Sequence, residues 1–458
     1  MSFLDMIDAM QSLVNPNLTP EERAALEAKR DHAAAMSALS KPVENPLTVY
    51  HPAQVETRTS KDGDRKEFLR AYGTDDNLAL LLHAYGVRVR YNEMARRIET
   101  WIGEHRLDGE LSANTNLALI ERLCTINAYP YTRVAGNIWS VAERDSYNPA
   151  LDWVRSMPWD GQQRIGELFR CLTLADPAKA DISELLFRKW MHGSAAILSG
   201  KAKKFEHVLV LVDPNGGIGK TRFFDSLCSE EFRASATLIV DNKDSLLEVT
   251  RKWLVELGEI GATFTKSDIE GLKGFLSRSH DEIRPPYARE ANVYERRTAF
   301  FGSVNNVRFL SDDTSNRRFW PIEVSAVDYE HAIDMQQVWA EALHQVEAGT
   351  IWWLTPEENR AICEHNETFR NVDRVEELIR QAYDPESLPS RYLSASQVLE
   401  EVGVLGAKAG DMRHAGVILR KLFKWTKKNN VVKYHLPSQA SQARHLSAVR
   451  QSYADGPF

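Results

Sequence analysis

The stretch HVLVLVDPNGGIGKT, residues 207–221, decides how this chain is read. Its first half is a continuous apolar run, the pattern of a strand buried on both faces of a parallel sheet. Its second half sets Gly216, Gly217 and Gly219 ahead of a Lys-Thr pair, and KTRFFDSLC then reads as a helix. Strand, glycine-rich turn and helix in that order are what a phosphate-binding loop needs, because the glycines can take the positive φ that turns backbone N–H groups toward an anion. The usual spacing would place a glycine where Pro214 stands. Pro214 lies at the entrance of the turn, where its missing N–H need not matter. Asn215, Gly216, Gly217, Ile218, Gly219, Lys220, Thr221 and Arg222 are therefore the expected nucleotide-binding residues. Lys220 is expected to reach the β- and γ-phosphates of ATP, and the Thr221 hydroxyl to ligate Mg²⁺.

Working outward, WLVELGE (253–259) places Glu256 and Glu259 at the end of a second buried strand. One acid is expected to position Mg²⁺ and the other to polarise the attacking water; spacing does not assign the two roles. HVLVLVD, ATLIVD, KWLVELGE and TAFFGSVN are short apolar runs separated by helical stretches, which predicts an α/β fold with a parallel sheet over residues 205–372. Asn305 and Asn306 end the TAFFGSVNN strand, where an amide can hold the lytic water; an Asn-Asn turn is the alternative. SDDTSNRRFWPIEV then carries Arg317 and Arg318 immediately before another strand. An arginine there can stabilise phosphoryl-transfer charge, serving a neighbouring copy in a ring.

The rest of the chain bounds the reading. The 458 residues carry 43% hydrophobic and 26% charged residues and a net charge of −7, so nucleic-acid binding would have to come from local patches. Four cysteines are scattered without a Cys-x-x-Cys pair, which argues for reduced thiols in a cytoplasm. No apolar run reaches the ~20 residues of a membrane span, so no membrane partner is expected. Residues 1–66 read as a charged, Ala-rich arm and a polar linker, TSKDGDRKE (59–67). Residues 67–140 read as a small α+β module of helix, ribbon and helix, a docking unit for replication partners. A helical collar follows at 141–204, with Trp153, Trp159 and Trp190 expected in its core. Residues 373–440 form a separate C-terminal unit and 441–458 a disordered tail.

LDWVRSMPWDGQQRIGELF, the glycine-rich loop, WLVELGE, LKGFLSRSHDEIRPPYARE, FFGSVNN and SNRRFWP occur in that order. Together they resemble the virulence-associated protein E family of phage and prophage proteins, which look like superfamily 3 helicases of the AAA+ class. The resemblance covers about residues 140–330. It implies that Lys220 and Thr221 are the Walker A pair, Glu256 the Walker B acid that shares Mg²⁺ with Thr221, and Asn305 the sensor amide. It implies Arg317 or Arg318 as the finger. Two residues separate Glu256 from Glu259, where superfamily 3 helicases commonly carry adjacent acids.

In such helicases the interval DEIRPPYAREANVYERRTAF holds a hairpin that enters the ring's pore. Here it offers Arg284, Tyr287, Arg289, Arg296 and Arg297, cations for phosphates and a ring for stacking on a base. Pairing of Arg296 and Arg297 with Glu290 and Glu295 is the alternative. In the C-terminal unit, Ser394 is expected to cap a helix, and MRHAGVILRKLFKWT to form a second helix before the strand NNVVKYHL. Two helices and a ribbon suggest a winged helix whose Arg420, Lys424, Lys427 and Lys428 contact DNA. The expectation is an ATP-driven DNA helicase of a phage or mobile element, working as a homo-oligomeric ring, taken as a hexamer, on single-stranded or forked DNA. The competing expectation is a nucleotide-dependent loader or regulatory switch that binds DNA without unwinding it.

Overall fold

A computed structural model describes residues 53–59, 63, 65–103, 105–107, 112–236, 249–258, 266–283, 292–310, 316–370, 374–428 and 431–437. The expected arm helix and the C-terminal tail lie outside the described residues. The chain opens with a hairpin, β1 (Ala53–Thr59) against β2 (Arg65–Ala71). The polar stretch 59–67, read as a linker, thus contains strand ends rather than only a connection. Helix α1 (Asp75–Ala84) follows, capped by Thr74, whose hydroxyl accepts from Asn77 N–H.

Strands β3 (Val87–Asn92) and β4 (Arg97–Ile102) form the expected ribbon, extended by β5 (His105–Arg106). Helices α2 (Ser112–Ile126) and α3 (Val134–Glu143) cover it, with Leu78, Leu81, Leu123, Cys124 and Ile138 in their shared core. Helix α3 crosses the boundary expected at 140, and β6 (Ser146–Tyr147) pairs in parallel with β3.

Residues 141–204 are not purely helical. Helices α4 (Pro149–Val154) and α5 (Ile165–Arg170) lead into strand β7 (Leu172–Leu174) and then into the long α6 (Ala180–Leu198). β7 joins the edge of the main sheet, which also takes β8 (Val208–Val212), the strand before the glycine-rich loop. Helix α7 (Lys220–Ser226) and β9 (Arg233–Ala236) follow. The run ATLIVD, expected as a strand, begins where β9 ends; its residues 237–241 lie outside the described residues. The chain continues through β10 (Leu254–Leu257), α8 (Lys266–Leu276), β11 (His280–Ile283), β12 (Asn292–Glu295), β13 (Ala299–Val304) and β14 (Phe319–Val327).

Among the described residues the main sheet has six strands in the order β7-β14-β8-β13-β10-β9. β14, β8, β13, β10 and β9 run parallel, and β7 is antiparallel. The fold is mixed α/β. Along β8 the side chains alternate: Leu209 and Leu211 enter one core, and Val208, Val210 and Val212 the other. The first core takes α6, α7 and α9 (Met335–Glu347), the second α8 with Leu272, Phe275 and Leu276. Both faces are therefore covered, which is why these strands read as unbroken apolar runs.

Trp190, Trp253 and Trp339 fill the first core, and each indole N–H donates to a backbone carbonyl, of Phe300, Ser194 and Leu227 respectively. Trp190 is core as expected and Trp153 is partly buried against it. Trp159 is not core: it is half-buried, donates to Gln162 O and stacks on His344.

Helix α10 (Pro356–Glu367) begins with a full capping box from Thr355 and Glu358. The C-terminal unit comprises α11 (Arg374–Ala382), β15 (Arg391–Leu393), α12 (Ala395–Glu401), α13 (Ala409–Leu422), β16 (Trp425–Lys428) and β17 (Val431–Leu436). Ser394 caps α12 as expected, with Gln397 completing a capping box. Helix α13 stops earlier than expected. Phe423 turns extended and enters the core, so Trp425 and Thr426 start a strand instead. The antiparallel sheet order, among the described residues, is β15-β17-β16.

One cluster ties the N-terminal module to the β11–β12 ribbon. Asp281 receives Arg296 Nη2 at 2.5 Å and Arg96 Nη2 at 3.2 Å, and all three side chains are buried. Arg296 also donates to Phe275 O at 2.6 Å, with its guanidinium over the Phe275 ring. Burial pulls the pKa of both arginines below the usual value, and Asp281 opposes it. Replacing Arg296 with Leu should cost about 3 kcal/mol, the lower end for breaking a buried ion pair. The check is hydrogen exchange of the ribbon amides, where an unchanged opening rate would refute the assignment.

Candidate functional site

The loop between β8 and α7 is set by its glycines. Gly216, Gly217 and Gly219 have φ of 73°, 80° and 91°, a region costly for residues with a Cβ. Asp213 shapes the entry: its Oδ1 accepts from Asn215 N–H at 3.0 Å. Lys220, at the start of α7, is turned inward, 6% exposed, with Nζ 2.9 Å from Asn305 Oδ1 and 3.4 Å from Asp213 Oδ2. Asp213 is 1% exposed, so this pair lies away from bulk water.

Three strands converge here at their C-terminal ends. β10 brings Glu256, whose Oε1 accepts from Thr221 Oγ1 at 3.1 Å and from Ser303 Oγ at 2.8 Å. β13, lying between β8 and β10, brings Ser303 and Asn305. The two asparagines part company. Asn305 faces Lys220, whereas Asn306 accepts from Arg308 N–H at 2.9 Å within a turn. A cavity of about 460 Å³ opens between these groups, lined by Gly217, Gly219, Lys220, Thr221, Arg222, Ser303, Asn305 and Tyr329.

The donor set suits a polyphosphate with a hard cation. It offers one ammonium, a ring of loop amides, and a hydroxyl beside a carboxylate, and Mg²⁺ on phosphates needs only one or two protein oxygens. Among the described residues no cluster of three or more His, Cys, Asp or Glu forms a metal cage.

Arg317 and Arg318 stand at the opposite end of the sheet, just before β14, whose Phe319 pairs with Val208 at the start of β8. Arg318 is engaged within the chain, with Nε 3.2 Å from Glu206 and Nη2 3.0 Å from Ser277 Oγ. Burial would raise Glu206 most, yet Ser277 and Arg318 hold it below its ordinary pKa. The Arg317 side chain is exposed and makes no ion pair or side-chain hydrogen bond among the described residues.

One expected DNA contact, Arg296, does not hold. Arg296 is 1% exposed and committed to Asp281 and Phe275 O, so no phosphate can reach it. Arg297 pairs with Glu295 at 2.8 Å, and its guanidinium lies against Gly200. Arg296 spends its charge inside the fold, whereas the Arg297–Glu295 pair lies at the surface, the alternative pairing expected for Arg297. Glu259, Arg284, Tyr287 and Arg289 lie outside the described residues, as does the Lys428 side chain. Arg420, Lys424 and Lys427 are exposed on the C-terminal unit, with the Arg420 guanidinium 5.5 Å over the ring of exposed Trp425.

Sequence reasoning missed two residues that line the cavity, Ser303 and Tyr329, and Asp213, which holds Lys220. Asp213 and Ser303 were in plain view beside the loop and in the FFGSVNN strand, but an acid at a strand end or a serine within one carries no signal by itself. Tyr329 had none, standing 110 residues beyond the loop.

The site thus sits on a mixed α/β sheet with a lysine-bearing glycine loop at the C-terminal ends of its parallel strands. Residues 154–371 match the model of the virulence-associated protein E-like domain. The match reaches past the span of about 140–330 read from motifs and takes in α9 and α10. Similar solved structures include "The apo structure of NrS-1 C terminal region (305-718)", at 15% identity and TM-score 0.40, covering 79% of this chain and 98% of that one. Another, the A form of the apo NrS-1 C-terminal region, shows 14% identity and TM-score 0.44, covering 79% and 99%. Comparison with curated proteins finds no match. No helix among the described residues is long and apolar enough to cross a membrane.

Proposed function

We propose that this chain is an ATP-hydrolysing motor of the AAA+ P-loop class that translocates on single-stranded DNA in phage or mobile-element replication. The observation that carries the reading is the convergence of Lys220, Thr221, Ser303 and Asn305 on one cavity beside a loop of left-handed glycines, with Glu256 accepting from both Thr221 and Ser303. Strand β13 lies between the loop strand and the acid strand, and the contact of Asn305 with Lys220 supports reading it as the γ-phosphate sensor.

In this reading Lys220 exchanges Asn305 and Asp213 for phosphate oxygens. Asn305, released from Lys220, then holds the attacking water, and Glu256 with Thr221 orients Mg²⁺. Bound with the nucleotide, Mg²⁺ supplies neutralisation of the charge that builds on the leaving phosphates. Glu259 remains the second acid. Arg317 acts on the nucleotide of a neighbouring copy in a ring, taken as hexameric.

The ribbon β11–β12 is read as the stem of the pore hairpin, and Arg284, Tyr287 and Arg289, which follow β11 in sequence, are kept as its single-strand contacts. The C-terminal unit, read as a winged helix, presents Arg420, Lys424, Lys427 and Lys428 to the fork. The domain limits proposed from sequence are kept except near 140, where α3 and β6 carry the N-terminal module to about residue 147.

Purified protein should hydrolyse ATP, and with ATP it should unwind a forked duplex. Glu256→Gln should slow hydrolysis by roughly 10²-fold or more, the cost of one lost preorganised group. Tight duplex binding without unwinding would replace the motor by a loader or switch. Full turnover in Glu256→Gln would remove Glu256 from the mechanism.

A further inference from the structure

The cavity has a wall that the phosphate chemistry does not use. Tyr329 lies two residues past β14 and lines the cavity beside Gly219 and Arg222. Its position is held on both sides. Asp328 N–H donates to Cys171 O at 2.8 Å, and His331 Nε2 is 2.9 Å from Ser226 Oγ. Its ring rests against the loop so closely that a Cβ on Gly219 would sit 2.2 Å from Tyr329 Cδ1. Gly219 is thus required twice, by its φ of 91° and by the ring. Arg222 Nη1 donates to Tyr329 Oη at 3.2 Å, and its guanidinium carbon lies 5.2 Å from the ring centroid.

We propose that Tyr329, steadied by Arg222, is the platform on which the base of a nucleoside 5′-di- or triphosphate stacks. The proposal rests on the nucleotide-binding reading of the loop. A chain of phosphates seated on Lys220 and Thr221 leaves the cavity past the next residue, Arg222, and the wall it meets there is Tyr329. A π-face and a guanidinium suit a flat heterocycle and do nothing for a bare polyphosphate. The residue therefore gives the site its preference for nucleotides over inorganic phosphates.

The test is calorimetric titration of the full chain, with Mg²⁺, using ADP and pyrophosphate in parallel. Wild type should bind ADP more tightly than pyrophosphate. Tyr329→Ala should weaken ADP roughly 10-fold, within the range for a lost base stack, and leave pyrophosphate unchanged. The pyrophosphate arm also reports that the variant has folded, and Tyr329→Phe should keep most of the ADP affinity. An ADP-to-pyrophosphate ratio that Tyr329→Ala leaves intact would overturn the platform. If Lys220→Ala fails to weaken pyrophosphate, the loop reading itself falls.

Discussion

Lys220→Ala is expected to abolish ATP hydrolysis, lowering turnover by about 10³-fold or more, the upper range for losing one preorganised charge-stabilising donor. Its ammonium is 6% exposed and already aimed between Asp213 and Asn305. Arg222, the other cation on the cavity wall, is committed toward Tyr329. The substitution also leaves Asp213, 1% exposed, without its counter-charge, and an uncompensated buried carboxylate is destabilising. Two losses are therefore predicted, and they separate. Adding Asp213→Asn to Lys220→Ala should recover melting temperature and recover no turnover. Phosphate release and thermal melting on the same preparations measure both. Wild-type turnover in the single variant would refute the phosphate role of Lys220.

Arg317→Ala should lower hydrolysis by roughly 10³-fold or more while ADP binding stays as in wild type, since a transition-state arginine is worth about 10³–10⁵. In the proposed ring the effect is intermolecular. Arg317 precedes β14 at the edge where β8 begins, and the loop leaves β8 at the other edge. Five strand residues, at about 3.3 Å each, separate the two ends. Arg317 is exposed, as an arginine serving a neighbouring copy would have to be. Arg318→Ala should act differently, loosening the Glu206–Ser277 contact and lowering stability more than turnover. Mixing Arg317→Ala with Lys220→Ala protein should restore partial activity, because some interfaces then pair an intact loop with an intact arginine. Activity that only averages the two inactive proteins would place the site within one chain.

What could be read directly from the sequence was local. The loop, its lysine and threonine, and the buried strands β8, β10 and β13 announce themselves within windows of about ten residues. There, apolar runs and glycine placement reflect forces acting on neighbouring backbone. The Ser394 cap of α12 is legible for the same reason. For ATLIVD, only its first residue, Ala236, is described, and it closes β9, whose pairing with Leu254–Leu257 is a contact between distant residues that no local window shows.

Choices among equivalent residues needed the tertiary structure. Asn305 and Asn306 are chemically identical, and only the direction of β13 turns one toward Lys220 and the other into a turn. Arg317 and Arg318 are adjacent, but Glu206 and Ser277 take up one of them. Arg296 had the composition of a DNA contact until Asp281 and Phe275 enclosed it. Tyr329 reached the cavity only through sheet order, which brings the end of β14 beside that of β8. Charge and shape are written in the sequence; whether a charge is spent inside the fold or left for a partner depends on contacts between residues far apart along the chain.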